Sequence, residues 1–331
     1  MSYVKNGTPI GGATGSIAAS SLSPGTAGQG IRTNAGATAG EWFDPDVVCT
    51  FAELSTTYAP SAVLRGVIAY TSDFGVTYVC RRTAASTYAW LPVAATARPI
   101  DGSTTHAWRC NDAPGSSTLA EASGGSAMTL TGSQWYPGDT GMYALDTCAY
   151  LSPGAAVTDR AATAANITPS TGAFSMECDF MLDPAHLIVG GTSATHLMFL
   201  RPAGDASYAL IDLSFSSGIQ LWSAWKRSGG SEESTSTSAV PFRRVSTCTP
   251  HHFLLSINPG GTMQLFFDGV LAASAAASSG GLAGSIHVMG LGWSTNNQAP
   301  LGRFGEVRLS NVARDAAYAM GAFTSLKMRC R

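Results

Sequence analysis

The stretch Phe174-Ser175-Met176-Glu177-Cys178-Asp179-Phe180-Met181-Leu182 decides how this chain folds. Phe174, Met176, Cys178, Phe180 and Leu182 alternate with Ser175, Glu177, Asp179 and Met181. Successive side chains of a strand point to opposite faces, so the first set should enter a core and the second face outward. On this reading Glu177 and Asp179 are solvated residues on the outer face of a sheet. Their burial would argue for the other register and would give weight to an enzymatic reading.

Strand candidates recur on both sides of this stretch, separated by Gly, Ser and Asn. Upstream lie 128–131 and 147–151. Downstream lie 195–201, 208–214, 218–225, 253–258, 263–267, 270–273, 285–291 and 302–310. Many short strands at such spacing predict an all-β sandwich or barrel over residues 99–331. Phe267-Asp268-Gly269-Val270 reads as a two-residue hairpin, because Asp-Gly accepts the positive φ of a type I′ turn. Only the tail, 313–323, has a helical pattern, with Asn311 as its expected cap.

The remainder of the chain divides in two. Residues 1–41 form a low-complexity arm whose apolar side chains are too few and small to order it by collapse. Residues 42–98 form a small β module with strands expected at 63–70, 75–81 and 88–93 and a Thr71-Ser72-Asp73 turn. About 50 residues make a poor core, so this module should dock or oligomerise, burying Val67, Ile68 and Tyr70.

Composition excludes several functions. Of 331 residues, 12% are charged, 45% are hydrophobic and 37 are glycine. That mixture suits short strands and tight turns better than helices. With net charge −2 there is no electrostatic footprint for nucleic acid. No run of about 20 apolar residues could span a membrane. The opening MSYVKNGTPIGGATG has no apolar h-region, so no secretion signal is expected and the protein should be made and assembled in the cytoplasm. The seven cysteines are odd in number, widely spaced and without a C-x-x-C pair, which argues against zinc and against a disulfide framework.

Two resemblances follow from particular residues. The strings His106-Ala-Trp108-Arg-Cys-Asn-Asp112, Thr171–Phe180, Phe253–Asn258, Phe266–Gly269 and Gly302–Arg314 resemble the laminin-G-like, concanavalin A-like jelly-roll superfamily over about two-thirds of the chain. The strings Phe51-Ala-Glu-Leu54, Gly66–Asp73 and Tyr88-Ala-Trp90-Leu-Pro-Val93 resemble a small module of bacteriophage head and tail fibres. Together they imply an extended arm, a small β module and a two-sheet antiparallel jelly-roll sandwich, arranged as in a virion-surface protein. The fold itself hosts lectins, glycosidases and inert modules alike.

Catalytic strings are absent: no G-x-S-x-G, H-E-x-x-H, P-loop or dinucleotide fingerprint occurs. The adjacent His251 and His252 would point to opposite faces of a strand, so they cannot share a metal and read as polar residues at a loop edge. Glu177 and Asp179 resemble the acidic strand of the superfamily's glycosidases, E-x-D-x-E, but Met181 holds the third acidic position, and hydrolysis needs a pair of positioned carboxyls. The candidate glycan-binding residues are Trp222, Trp225, Trp293, Asn296 and Asn297. Indole faces stack on sugar rings and amides supply donors and acceptors, although a plain polar loop fits the last three equally. Calcium is frequent in laminin-G-like domains; Asp205, Asp212 and Asn296 could supply oxygens, but no spacing fixes a cage, and metal stays unassigned.

The expectation is therefore a non-enzymatic structural or adhesive virion protein. Its arm binds capsid or tail proteins, it forms a homo-oligomer, with a trimer favoured, and its sandwich meets host surface polysaccharide. The competing expectation is a polysaccharide-active glycoside hydrolase of concanavalin A-like fold.

Overall fold

The structure, a computed structural model, describes residues 4–5, 8–9, 30–33, 40–43, 45–84, 86–95, 97–122, 125–144, 146–152, 160–163, 167, 172–185, 195–202, 208–214, 220–226, 232–236, 246–278, 287–291 and 301–330. The chain divides into two compact units, Met1–Pro99 and Ile100–Arg331.

In the first unit, β1 (Val4–Lys5) pairs with β2 (Thr8–Pro9) and β3 (Gly30–Thr33) with β4 (Gly40–Phe43). The remainder of the predicted arm lies outside the described residues. A four-stranded sheet follows in the order β5 (Val47–Cys49), β6 (Ile68–Thr71), β7 (Val76–Ala84) and β8 (Thr87–Ala95). The β6–β7–β8 ladders are antiparallel, as the hairpin signals imply, whereas β5 joins β6 in parallel. The expected strand at 63–70 is displaced: residues 62–66 turn, and Val63 is 90% exposed. One face of this sheet carries Ala69, Thr71, Val76, Tyr78 and Cys80, all buried, with Phe51 edge-on to Phe74 at 5.7 Å. The other face carries Val48, Leu91 and Val93 exposed. Tyr70, expected to be free for a partner, is already buried in the single chain.

In the second unit come β9 (Thr104–Trp108), β10 (Thr118–Leu119), β11 (Met128–Thr131), β12 (Trp135–Asp139), β13 (Cys148–Leu151), β14 (Arg160–Thr163) and β15 (Phe174–Leu182). After them run β16 (Thr195–Pro202), β17 (Tyr208–Ser214), β18 (Gln220–Lys226), β19 (Glu232–Ser236), β20 (Pro250–Ile257) and β21 (Thr262–Phe267). The chain ends with β22 (Val270–Ala276), β23 (His287–Leu291), β24 (Gly302–Ser310) and α1 (Ala316–Arg329). Two antiparallel sheets result. The first runs β10-β11-β14-β23-β16-β17-β18-β19; the second runs β12-β13-β24-β15-β20-β21-β22, with β9 also on β24.

The two sheets share one apolar core. Met128, Ala161, Met198 and Ile211 of the first meet Trp135, Leu151, Phe174, Phe180, Phe253 and Phe304 of the second. This is the expected all-β sandwich. The alternating set of β15 lies wholly inside: Phe174, Met176, Cys178, Phe180 and Leu182 are all buried. Full burial of each such side chain contributes about 1.5–3 kcal/mol. Asp268 and Gly269 have φ of 50° and 78°, the positive values the β21–β22 hairpin requires.

The helix departs from expectation and adds a third layer. It is capped by Asp315, not Asn311: the Tyr318 amide donates to Asp315 Oδ1 at 2.8 Å. It continues to Arg329 and lies on the outer face of the second sheet. Ala319 packs with Leu254 and Phe266, and Leu326 packs with Met142, Tyr143, Cys148 and Met181. All seven cysteines are free thiols.

Candidate functional site

Where sequence places two solvated carboxylates, the structure places a sealed polar network. Glu177 and Asp179 are 2% and 1% exposed. The register is nevertheless the predicted one. Both faces of β15 are buried because α1 and the Tyr143 segment cover the outer face. Burial therefore comes from an added layer and not from a shifted strand.

His252 faces this pair across the β15–β20 ladder, opposite Asp179. Its Nδ1 lies 2.9 Å from Asp179 Oδ1 and its Nε2 3.2 Å from Glu177 Oε2. Burial alone would lower the imidazolium's pKa, but its bonds to Asp179 and then Glu177 outweigh that and hold the pKa above the ordinary histidine value. His251, on the opposite face, sets Nδ1 2.8 Å from Asp268 Oδ2 and lies against the Phe267 ring. Both histidines are thus buried strand residues, not loop-edge ones.

The helix reaches the network from both ends. Tyr318 Oη donates to Glu177 Oε1 at 2.5 Å. Arg329 Nη1 donates to Glu306 Oε2 at 2.8 Å, and its guanidinium lies 4.1 Å from the centre of the Tyr143 ring. Tyr143 Oη donates to Asp179 Oδ2 at 3.0 Å and accepts from the Glu306 amide at 3.0 Å. Burial and the Asp179 charge push the Tyr143 phenol well above its usual pKa, so it stays neutral. Arg308 Nε donates to Glu306 Oε1 at 2.7 Å. Among the described residues, three buried carboxylates, Glu177, Asp179 and Glu306, face the buried guanidiniums of Arg308 and Arg329, and a protonated His252 balances them; Arg329 also lies 3.5 Å from the partly exposed Asp146. Its geometry is that of a clamp: each charge is buried and held by a partner.

No protein-family model matches the chain, and no curated protein matches it. Among solved structures, the receptor binding domain of botulinum neurotoxin D is similar with a TM-score of 0.50 at 10% identity, over 68% of this chain and 53% of that one. The corresponding domain of the C/D mosaic serotype gives 0.50 at 10% identity, over 67% and 51%. Domain 4 of AbnA, a GH43 extracellular arabinanase from Geobacillus stearothermophilus, in complex with arabinotriose, gives 0.48 at 17% identity, over 66% and 97%. This chain spans about half the length of the neurotoxin domains it matches. The likeness is one of fold: an all-β jelly roll.

The predicted glycan residues are not tested by the geometry. Trp293, Asn296 and Asn297 lie outside the described residues. Trp222 and Trp225 sit on β18, whose backbone register sets Trp222 opposite Asp212 and Trp225 opposite Ala209, but their side chains lie outside the description. Of the calcium candidates only Asp212 is described, and it is buried; among the described residues no cluster of three metal-ligating groups occurs. The network's other members, Tyr143, Glu306, Arg308, Tyr318 and Arg329, escaped the sequence reading. One signal was present: Glu306-Val307-Arg308 puts opposite charges two apart on the outer face of a strand whose inner residues, Phe304, Val307 and Leu309, are apolar.

Proposed function

We propose that this chain is a non-enzymatic adhesive component of a bacteriophage virion, a head-fibre, decoration or tail-fibre protein. Its N-terminal region attaches to capsid or tail proteins, and its jelly roll binds host surface glycans. The observation that carries the non-hydrolytic part is the sealing of Glu177 and Asp179 beneath α1. A general acid and a nucleophile must reach both sides of a glycosidic bond. Here both carboxylates are spent on His252, Tyr143 and Tyr318. The fold supports a recognition role, since the neurotoxin domain of similar architecture is a receptor binding domain. Position on the virion follows from the arm and module resemblance, and assembly takes place in the host cytoplasm.

The test joins particle composition to sugar chemistry. Mass spectrometry of purified particles should find the chain, and deletion of residues 2–40 should leave a folded protein that no longer incorporates. Incubation with host polysaccharide should release no reducing ends. Release that is abolished by Glu177→Gln would establish the glycoside hydrolase instead.

A further inference from the structure

β12 is an edge strand of the second sheet, and its sequence alternates sharply. Trp135 and Pro137 point inward and are buried, while Tyr136 between them is 51% exposed. Register sets Tyr136 opposite Tyr150 on β13, and Tyr150 opposite Arg303 on β24. The three side chains therefore form one row across the outer face, beyond the end of α1 that covers Met181.

The row is tied by hydrogen bonds at Tyr150 and Arg303 and open at Tyr136. The Tyr136 and Tyr150 rings lie 6.3 Å apart at 37°. Arg303 sits 4.4 Å from the Tyr150 ring centre, and Tyr150 Oη donates to Asp183 Oδ2 at 2.7 Å. Burial and that hydrogen bond push the Tyr150 phenol up to about 12, so it remains a neutral donor. Arg303 Nε donates to Asp139 Oδ1 at 2.6 Å, and the Gly141 amide donates to the same oxygen at 2.7 Å. Asp139 Oδ2 and both Nη groups of Arg303 take no hydrogen bond among the described residues, yet Arg303 and Asp139 are 22% and 23% exposed. Tyr136 thus offers an open aromatic face on one side of Tyr150, and on the other side Arg303, tied to Asp139, keeps donors and an acceptor open to a ligand.

We propose that Tyr136, Tyr150, Arg303 and Asp139 form a binding site for a neutral hexopyranose unit of a surface polysaccharide. The apolar C–H face of the ring stacks on Tyr136. One hydroxyl donates to Asp139 Oδ2, and neighbouring hydroxyl oxygens accept from the Arg303 Nη groups. Among the described residues, two carboxylates, Asp139 and Asp183, stand against one guanidinium, a negative balance that disfavours sialic and uronic acids. Because the groups are already fixed, little side-chain entropy is lost on binding. The proposal rests on the glycan-binding reading above and supplies that reading with a location and a sugar class.

The test is affinity electrophoresis of the full chain in native gels cast with dextran, galactomannan or laminarin, and with anionic polygalacturonate for comparison. At least one neutral polymer should retard the wild type and polygalacturonate should not. Tyr136→Ala should weaken that retardation about tenfold or more, while Tyr136→Trp keeps it. Tyr136 is exposed, so both variants should melt within a few degrees of wild type. Undiminished retardation of Tyr136→Ala, or its loss in Trp293→Ala or Trp222→Ala instead, overturns this site and leaves the glycan-binding reading standing. Retardation by polygalacturonate alone overturns the neutral-sugar assignment. No retardation by any of the polymers overturns both.

Discussion

Replacing His252 by glutamine should unpin the helix from the sheet. The imidazolium lies between Asp179 at 2.9 Å and Glu177 at 3.2 Å and has no solvent exposure. Its removal leaves three buried carboxylates against two guanidiniums. An uncompensated buried charge costs about 3–5 kcal/mol. For a unit the size of Ile100–Arg331 that lowers the melting temperature by roughly 6–20 °C. The double variant Glu177→Gln/His252→Gln removes one charge of each sign and restores neutrality. It should recover part of the loss, with a coupling energy of about 0.5–3 kcal/mol. The same charge balance sets a pH dependence. Because the folded-state pKa of His252 is raised, its stabilising contribution is complete below the unfolded histidine pKa of about 6.5 and fades as pH rises through the folded value. Wild type should therefore lose stability as pH rises from neutral into the alkaline range, and His252→Gln should flatten that slope. Calorimetry from pH 6 to 10, with hydrogen exchange of the 316–329 segment, reads both effects. A single variant that costs under 1 kcal/mol, or a double variant that costs the full sum of its parts, would refute the neutral-cluster reasoning.

Three further outcomes are expected. A Cβ at Gly305 would lie 2.0 Å from Tyr143 Oη and 3.1 Å from Asp179 Cβ, so Gly305→Ala should lower stability by about 1–3 kcal/mol in urea denaturation; an unchanged midpoint would contradict the close approach. Met176→Asp puts an unpaired charge in the shared core and should abolish the folded sandwich, read as loss of protease resistance; a resistant variant would contradict the β15 register. The exposed Val48, Leu91 and Val93 share a face of the small sheet with Ile68 and Val79, and we expect cyclic association there, with a trimer favoured. Light scattering at micromolar concentration should give about three times 34.1 kDa, and a value near one chain mass would count against self-assembly.

Local periodicity made much of the sandwich legible. The β15 alternation placed its core set correctly, and Asp268-Gly269 marked its hairpin. Strands whose inward residues are large and apolar, such as 208–214 and 302–310, were read to the residue. Those missed are of two kinds: β12, Trp135–Asp139, is aromatic at its start but interrupted by Pro137 and Gly138, and the others carry little apolar signal. β10 is two residues long, β14 is Arg-Ala-Ala-Thr and β19 is Glu-Glu-Ser-Thr-Ser. Such strands are held by neighbouring ladders more than by their own side chains. The parallel β5 was missed for a related reason: three residues paired with partners 22 positions away leave no local hairpin mark.

The candidate site failed to show for a deeper reason. A period of two tells which side chains of a strand share a face, but not what covers that face. In a two-layer sandwich the polar set of β15 would be wet, and an acidic pair there reads as either inert or catalytic. The third layer changes the question, and its evidence lies in three separate places: His252 on β20, Glu306 and Arg308 on β24, and Tyr318 and Arg329 on α1. Taken singly, each is an ordinary polar residue. Taken together, their formal charges cancel those of Glu177 and Asp179. A solvated face has no need of such a balance, because water screens each charge separately. A sealed face does need it, because a single excess charge there is expensive. Charge balance among the described residues of a helix and three strands is therefore the feature that distinguishes a buried clamp from an open acidic cleft.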